Sequence, residues 1–399
     1  MTLVDRQAAD PPADTPGGVD LGFRADIEGL RAVAIILVVL YHCGVTWLTG
    51  GYVGVDVFFV VSGFLITGLL IREHEERGTV SIPGFYARRS RRILPAAMVV
   101  IIATVIGAHQ IQNFITYAQT AVDARWAALF AANFHFAIQG TNYFDASFAP
   151  SPLLHYWSLA VEEQFYVVWP AVVLLAGLAL RRWPLRRAVL VAAAIICVAS
   201  FVWALLEAKT DPTWAFFSPL TRAWELGLGA LAATLVTLAS RIPKPAGIAL
   251  AWGGLAAILV SALVYSDTVT SYPGAVLLLT PVLGTVAVIV GGCSGTGAVH
   301  LLGLRPVRSV GRVSYGWYLL HYPPMILAAG ILWTGPVSVH ERLAIAAATL
   351  AVAYVMYALL EKPIRRSRTL AQRPWASIAM GLGFVAAAFL VALLLHKSI

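Results

Sequence analysis

Long apolar stretches with almost no charge are the feature that most constrains this chain. A helix must present about 20 mostly apolar residues to cross the hydrocarbon core of a bilayer. Eleven stretches are long enough: 29–48, 53–71, 93–111, 157–180, 188–206, 216–238, 246–265, 272–292, 313–332, 342–360 and 375–395. The sequence therefore predicts an all-α fold, a polytopic transmembrane helical bundle of about 10–11 spans.

Composition excludes a soluble globular protein. Only 12% of the 399 residues are charged and 59% are hydrophobic, whereas soluble domains carry about 25% charged residues. One further apolar stretch, 114–139, contains Asp123, Arg125, Asn133 and His135. We expect this stretch to form a re-entrant or interfacial helix, because counting it as a span would reverse every later loop.

Positive charge is concentrated in the alternate loops that face the cytoplasm if the N-terminus is inside. These loops hold most of the 28 lysines and arginines, in agreement with the positive-inside rule. The sequence thus predicts a multi-pass protein of the plasma membrane with a cytoplasmic N-terminus and an extracytoplasmic C-terminus. The net charge of +8 then faces the anionic inner leaflet of the lipid bilayer and does not indicate a nucleic acid partner.

The N-terminus and the cysteines add little chemistry. Residues 1–24 contain no apolar run and several prolines and glycines, which predicts a disordered cytoplasmic tail. A signal peptide is not expected, because the first span is too long and has no small-residue cleavage site. Cys43, Cys197 and Cys293 lie in or beside spans, and their spacing suggests neither disulfides nor a metal site.

The first span carries two ionisable side chains, Arg31 and His42. Ionisable groups inside spans are costly and are therefore functional candidates. Three helical turns place the two side chains about 20° apart around the axis and ~16 Å apart along it, with Arg31 nearer the inner face. Two interpretations stay open: His42 packs in the bundle against a neighbouring carbonyl, or both side chains line a shared polar cavity.

The second span adds Asp56, which a short preceding loop brings to the depth of His42. A carboxylate beside an imidazole orients its tautomer and makes the ring a competent base. The alternative is that Asp56 caps the helix at the membrane interface. Gly63, Gly68 and Ser62 are small residues that permit close helix packing, with ligand access as a second role.

Four arginines, Arg88, Arg89, Arg91 and Arg92, lie within five residues after the second span. Part of this charge is the ordinary excess of a cytoplasmic loop. Because guanidinium pairs bidentately with phosphate, the cluster also suits a phosphorylated donor such as an acyl-CoA.

The densest polar segment is 154–166, where a later span begins. His155, Ser158 and Glu162 have the spacing of one helix face. Glu162 is followed by Glu163, and two adjacent carboxylates entering a membrane are hard to explain by packing. One of them can act as a general base or bind hydroxyl groups of an acceptor.

Two more polar features occur in the later spans. Arg222 and Glu225 have the i, i+3 spacing that favours an internal salt bridge. The segment 314–324 combines Ser314 with several aromatic residues and His321.

Six segments together resemble the acyltransferase-3 family, the membrane O-acyltransferases that modify cell-surface polysaccharides and some antibiotics. They follow the family's order: RADIEGLRAVAIILVVLYH (24–42), GGYVGVDVFFVVSGFLITGLL (50–70), YARRSRRILP (86–95), LLHYWSLAVEEQFY (153–166), VGRVSYGWYLLHYP (310–323) and LEKPIRR (360–366). The resemblance implies an acyl-CoA donor on the cytoplasmic side, no bound cofactor, and an acceptor hydroxyl on the outer side.

The family's Arg-x10-His pair matches Arg31 and His42, and its basic segment matches Arg88, Arg91 and Arg92. With the predicted topology, the candidate residues fall into three groups. The catalytic candidates are His42, Arg31, Asp56 and Glu163. The donor-binding candidates are Arg88, Arg91, Arg92 and Ser62. The acceptor-side candidates are His155, Trp157, Glu162, Tyr166, Tyr318 and His321.

The predicted function is a membrane O-acyltransferase that moves an acyl group, acetyl by family default, from cytoplasmic acyl-CoA to a hydroxyl of an extracytoplasmic glycan or glycolipid. His42 would be a base or an acyl carrier, and Arg31 would stabilise negative charge on the donor. The alternatives are an antibiotic or small-molecule O-acyltransferase, a scaffold for a separate secreted transferase, and a secondary transporter, for which no convincing internal repeat is found.

The predicted domain division is an acyltransferase domain at 25–366 and an extra transmembrane helix at 367–399. Many relatives with an eleventh helix continue into an extracytoplasmic SGNH-type hydrolase domain. Here only residues 396–399 follow the last span. We therefore expect either a truncated chain or one that acts without that domain in cis; an SGNH-type partner domain remains possible.

Overall fold

A computed structural model of the protein describes residues 24–141, 143, 150–266, 275–331 and 337–397. These ranges are folded into helices and contain no β-strand. The α-helices are α1 Ala25–His42, α2 Gly54–Arg77, α3 Ile82–Arg92, α4 Leu94–Ile111, α5 Phe114–Ala128, α6 Ala132–Ile138, α7 Tyr156–Ala179, α8 Leu185–Thr210, α9 Pro212–Phe217, α10 Pro219–Ala239, α11 Lys244–Val264, α12 Ala275–Gly291, α13 Ala298–Leu302, α14 Arg305–Ile331, α15 Val339–Met356, α16 Lys362–Arg366, α17 Arg368–Gln372 and α18 Pro374–Lys397.

Within the described ranges, eight helical segments are long and apolar enough to cross a membrane. The polytopic helical bundle predicted from the sequence is thereby confirmed. Three further predicted spans form the long helices α1, α10 and α14, which are absent from the set of eight. Each of the three carries polar or charged residues of the candidate site, among them Arg31 in α1, Arg222 in α10 and His321 in α14. The predicted tail at 1–24 lies outside the described residues except for Arg24.

The stretch 114–139 forms two short helices, α5 and α6. The chain breaks between them, where Phe130 has a φ of 51°, a conformation that a bulky residue rarely adopts. Helix α5 has 15 residues and is therefore about 22 Å long, which is shorter than the hydrocarbon core of about 30 Å. This stretch is thus not a continuous span, as expected.

Helices α2 and α10 cross at the centre of the bundle, backbone against backbone. A methyl group added to Gly63 would overlap the carbonyl oxygen of Leu226, and one added to Gly229 would overlap that of Val60. The prediction that Gly63 permits close packing is confirmed. The same prediction for Gly68 is wrong, because nothing lies within 4 Å of the position its Cβ would occupy.

The helices differ in how far the bundle encloses them. The most apolar part of the segment Gly51–Arg77, which includes α2, is 78% buried, whereas that of α18 is only 17% buried. Helix α18 packs on the outside of α3, α4 and α5. Exposed side chains such as Leu175, Val198 and Leu359 face outward, where lipid can cover them.

Candidate active site

A cavity of about 740 Å³ lies between α1, α2, α3, α7 and α14. We call it the arginine cavity, because Arg31, Arg89 and Arg92 line it. Its remaining lining residues are Val55, Phe58, Phe59, Val61, Ser62, Leu65, Ile93, Ser158, Leu159, Glu162, Glu163, Tyr166, Ser314, Tyr315 and Tyr318.

Short helix α3 brings two of the arginines to this cavity. Ser81 caps its N-terminus by accepting a hydrogen bond from the Gly84 amide at 3.2 Å, and α3 ends at Arg92. Its last turn therefore holds cations near the carbonyl end of the helix, where the dipole favours them. The guanidinium carbon of Arg89 lies 4.1 Å from the ring centroid of Tyr166, a cation–π distance.

Two carboxylates share the cavity with the arginines. Both Ser62 and Tyr166 donate hydrogen bonds to Glu162 Oε1. Oε1 of the adjacent Glu163 is buried and has no hydrogen-bond partner among the described residues. Glu162, Glu163 and Tyr166 therefore lie beside the predicted donor residues. The sequence analysis predicted an acceptor-side role for Glu162 and Tyr166; the structure places both in one cavity with Arg89 and Arg92.

The predicted donor set also changes within α3. Arg88 does not line the cavity; it forms a salt bridge of 2.6 Å with Glu73. Arg91 is buried and points along its own helix, where its Nε donates to Ala87 O at 3.4 Å. Arg92 lines the cavity together with Arg89; the donor-binding role of Arg88, Arg91 and Arg92 stays a prediction.

A second polar region, the histidine cluster, consists of His42, His155 and His321. The His42 and His321 rings stack with centroids 5.1 Å apart, and Nδ1 of His42 lies 2.9 Å from Nε2 of His321. On its other side, Nε2 of His42 lies 2.9 Å from the hydroxyl of Tyr143. His42 does not line the arginine cavity, so of the two interpretations left open by the sequence, the described residues do not show a cavity shared with Arg31.

The carbonyls around His321 fix the tautomers of the neutral rings. Nδ1 of His321 lies 2.8 Å from Tyr318 O and 3.2 Å from Trp317 O, so it must carry the hydrogen. Nε2 of His321 then accepts from Nδ1–H of His42, which leaves Nε2 of His42 as the acceptor for the Tyr143 hydroxyl. Burial raises the pKa of Tyr143 well above its usual value, so this phenol needs a base to lose its proton.

Asp56 does not orient His42, because both ring nitrogens of His42 have other partners. Instead Asp56 Oδ1 accepts from Arg222 at 3.0 Å, and the same nitrogen donates to Glu225 at 2.9 Å. The predicted salt bridge between Arg222 and Glu225 is thus confirmed, and it extends to a buried triad. The orienting partner of His42 is His321.

His155 and Ser158 connect the two regions through Tyr318. The Tyr318 hydroxyl donates to His155 O at 2.9 Å and lies 2.6 Å from Ser158 Oγ. Nε2 of His155 donates to Leu319 O at 3.2 Å. This carbonyl is free to accept because Pro323, four residues later, has no N–H.

A smaller cavity lies beside Tyr143. We call it the aromatic cavity. It is lined by Tyr52, Val55, Asp56, Tyr143, Trp157, Phe216, Arg222 and Leu278. Of the predicted acceptor-side residues, Trp157 lies here, whereas His155 and His321 belong to the histidine cluster. In the described part of the chain, no three His, Cys, Asp or Glu side chains come together as a metal-binding set.

Sequence reasoning missed three residues that the structure brings to these regions. Tyr143 lies in a loop, where no helical periodicity marks it. Arg89 could not be distinguished from its neighbours, because the register of α3 decides which arginine faces the cavity. Glu361 is only 8% exposed, ends a π-helical turn, and lies within electrostatic range of Arg31 and Arg92. Its signal in the sequence is the segment LEKPIRR, where Glu361 stands beside basic residues.

Comparison with known proteins decides the family. The family model described as "Acyltransferase domain" matches residues 24–397. The chain belongs to this acyltransferase family. Its relatives include YrhL of Bacillus subtilis, 33% identical over 349 residues, which are 85% of this chain and 54% of that protein.

Two further relatives are named for an activity. "Peptidoglycan O-acetyltransferase OatA" of Listeria monocytogenes is 32% identical, with 86% of this chain and 56% of the relative covered. "O-acetyltransferase OatA" of Staphylococcus aureus is 30% identical, with 94% of this chain and 62% of the relative covered. The chain therefore spans little more than half the length of these relatives. No solved structure matches it.

Proposed function

We propose that this protein is a membrane O-acetyltransferase that moves an acetyl group from acetyl-CoA to a hydroxyl of a cell-envelope glycan. The observation that carries the proposal is the hydrogen bond of 2.9 Å between His42 Nε2 and the Tyr143 hydroxyl. A base held by a third group and facing a hydroxyl is the arrangement of nucleophilic catalysis. The names of the relatives support acetyl as the group and an envelope glycan as the acceptor.

The arginine cavity is the proposed donor site. Arg31, Arg89 and Arg92 present three guanidinium groups to one space, and guanidinium pairs strongly with phosphate. CoA carries a 3′-phosphate and a diphosphate, and their negative charges can pair with these guanidinium groups. The thioester must then reach His42, which the helix geometry of α1 places ~16 Å from Arg31; in this proposal the extended pantetheine arm of CoA covers that distance.

His42 is the proposed general base, and Tyr143 the first acyl acceptor. The Tyr143 hydroxyl gives its proton to His42 Nε2 while its oxygen attacks the thioester carbonyl. The carbon–sulfur bond breaks and CoA leaves as a thiolate, which takes up that proton. In the second step His42 removes a proton from the glycan hydroxyl, which attacks the aryl ester and regenerates Tyr143.

The charge distribution supports an orientation for these steps. With the N-terminus in the cytoplasm, the arginine-rich helix α3 lies at the inner face, where cytoplasmic acetyl-CoA is available. The histidine cluster then lies toward the outer side, where the glycan is. An SGNH-type extracytoplasmic domain, in cis or in trans, would receive the group if it does not pass directly to the glycan.

The test uses the protein in lipid nanodiscs with labelled acetyl-CoA and no acceptor. We expect CoA release and a mass increase of one acetyl group on the peptide containing Tyr143, and no adduct in Tyr143→Phe. The matched control is Tyr117→Phe. It also removes a buried phenol hydroxyl, but this hydroxyl, unlike that of Tyr143, has no hydrogen-bond partner among the described residues. Absence of CoA release would contradict the proposed function, and an adduct on His42 would contradict the assigned roles.

A further inference from the structure

Arg342 has no role in the steps above, although its position is unfavourable for a cation. It lies in the first turn of α15, where the helix dipole disfavours positive charge. In the predicted topology this end of α15 faces the outer side, where the positive-inside rule leaves few arginines. The side chain is also half-buried. An arginine in such a place requires a reason other than solubility.

The guanidinium of Arg342 is unpaired in the described part of the chain. It forms no salt bridge there, and none of its N–H groups donates a hydrogen bond to a described residue. The adjacent Glu341 is turned to the N-terminus of α15, where it accepts from the amide and the hydroxyl of Ser338 at 2.7 and 2.8 Å. The donors of Arg342 are therefore available to an anion from outside the chain.

Arg342 lies beside the histidine cluster. One of its guanidinium nitrogens is 3.4 Å from the position that a Cβ on Gly44 would occupy, and Gly44 follows His42 by two residues in the turn after α1. The charge of Arg342 is within electrostatic range of His42 and Tyr322, whose ring centroids lie 4.7 Å apart. An anion on this guanidinium is thus held close to the proposed base.

The chemistry of the guanidinium selects the ligand. Its planar fork binds a carboxylate or a phosphate through two parallel hydrogen bonds, and this geometry fixes the orientation of the molecule that carries the anion. Pairing with an anion also reduces the repulsion between Arg342 and His42 when the base takes up a proton.

We propose that Arg342 binds an acidic group, carboxylate or phosphate, of the acceptor glycan and so directs a nearby sugar hydroxyl toward His42. This inference rests on the proposed function and narrows its substrate class to glycans that carry an acid close to the acetylated hydroxyl. Arg342 is in this role a specificity residue, which does not contact the reacting atoms.

The test compares acceptors that differ in one acidic group, with the protein in nanodiscs. One pair is N-acetylmuramic acid and its methyl ester, and the other is N-acetylglucosamine 1-phosphate and N-acetylglucosamine. Their dissociation constants are measured by ligand-observed NMR, and their KM values by transfer from acetyl-CoA. We expect the unchanged protein to prefer the acid of at least one pair about tenfold or more; the pair that shows this preference distinguishes carboxylate from phosphate.

Three variants then assign the preference. Arg342→Gln should abolish it while the constants for the neutral acceptor stay within about twofold, and Arg342→Lys, which keeps the charge, should retain part of it. Lys209→Gln is the matched control, because it removes a positive charge from an exposed position in the last turn of α8. It should leave the preference unchanged, and an equal loss in this variant would mean that diffuse charge attracts the acid.

The two proposals fail in different ways. If the unchanged protein does not release CoA from acetyl-CoA, the proposed function fails, and the dissociation constants still test the anion site. If acid and neutral acceptor bind equally to the unchanged protein, as they would if Arg342 pairs with a lipid headgroup, the anion site is wrong. It is also wrong if Arg342→Gln weakens both members of a pair equally, since the side chain then only supports the end of α1. Should Arg342→Gln not fold, an undiminished preference in Arg342→Ala overturns the site and a lost one supports it.

Discussion

The arginine cavity and the histidine cluster are both polar regions inside one apolar bundle, but their side chains are arranged in opposite ways. In the arginine cavity, charged groups of both signs face about 740 Å³ of space. In the histidine cluster, His42 and His321 face other side chains and carbonyls in one continuous chain of hydrogen bonds. Charged groups that line a cavity suit a charged ligand, whereas a continuous chain of hydrogen bonds between side chains suits proton transfer.

The largest expected effect is in the histidine cluster. His42→Ala removes the proposed base, and we expect the rate of CoA release to fall about 10²- to 10⁴-fold, with little change in the KM for acetyl-CoA. The control is His109→Ala in α4, whose ring packs only against Tyr117 at 4.8 Å among the described contacts. A fall of less than about tenfold in the rate of CoA release by the His42 variant would contradict the assignment of the chemical step to the histidine cluster.

Substitutions in the arginine cavity should mainly change the KM for acetyl-CoA. Arg92→Ala removes a guanidinium from the cavity wall, and we expect the KM for acetyl-CoA to rise about 10- to 100-fold with a smaller effect on kcat. Arg88→Ala is the control, four residues away in the same helix, because Arg88 is paired with Glu73. Equal effects of both substitutions on KM would mean that net charge of the loop, and not the cavity, attracts the donor.

A third measurement concerns the chain of hydrogen bonds. His321→Leu removes the acceptor for Nδ1–H of His42, and we expect kcat to fall about tenfold through loss of the fixed tautomer. His321→Gln offers an amide oxygen at a similar reach, so it should recover part of the loss. If the two variants have the same kcat, then His321 only fills space beside His42.

The smallest effect is expected at Glu162. Tyr166→Phe leaves Ser62 as the remaining donor to this carboxylate, and we expect a change of less than about fivefold in the KM for acetyl-CoA. Tyr86→Phe is the control, because its hydroxyl donates to Val167 O at 2.7 Å outside both cavities. A large fall in kcat for Tyr166→Phe would instead assign Glu162 to the chemical step.

The sequence predicts the helical fold well because lipid imposes a simple rule, that a span must be long and apolar. This rule identifies spans least clearly at the candidate site, because α1, α10 and α14 carry polar residues. Arg31 and His42 could be identified from the sequence, because ionisable side chains inside an apolar span are energetically costly and therefore stand out. Their partners could not: His321 and Tyr143 reach His42 from residues far along the chain, and only the packing of α1 against α14 brings His321 to it.

Asp56 also shows that the sequence does not reveal which side chains meet. Its depth in α2 was predicted from a short loop, but depth does not give direction around the helix axis. The side chain faces Arg222 on α10, 166 positions later in the chain. Likewise Arg88 and Arg89 are neighbours in sequence, and one helical step of about 100° decides which of them lines the arginine cavity.

The crossing of α2 and α10 at Gly63 and Gly229 has a consequence for how a group can pass from one region to the other. Backbones in direct contact leave no side chains between them to repack, so neither helix can slide or tilt without collision. Alternating-access transporters depend on such movements between groups of helices. In this protein α2 borders both cavities, and its partner at the crossing supplies Arg222 to one of them. Under the proposed function, α2 and α10 form a stationary frame, and the acetyl group is the part that moves.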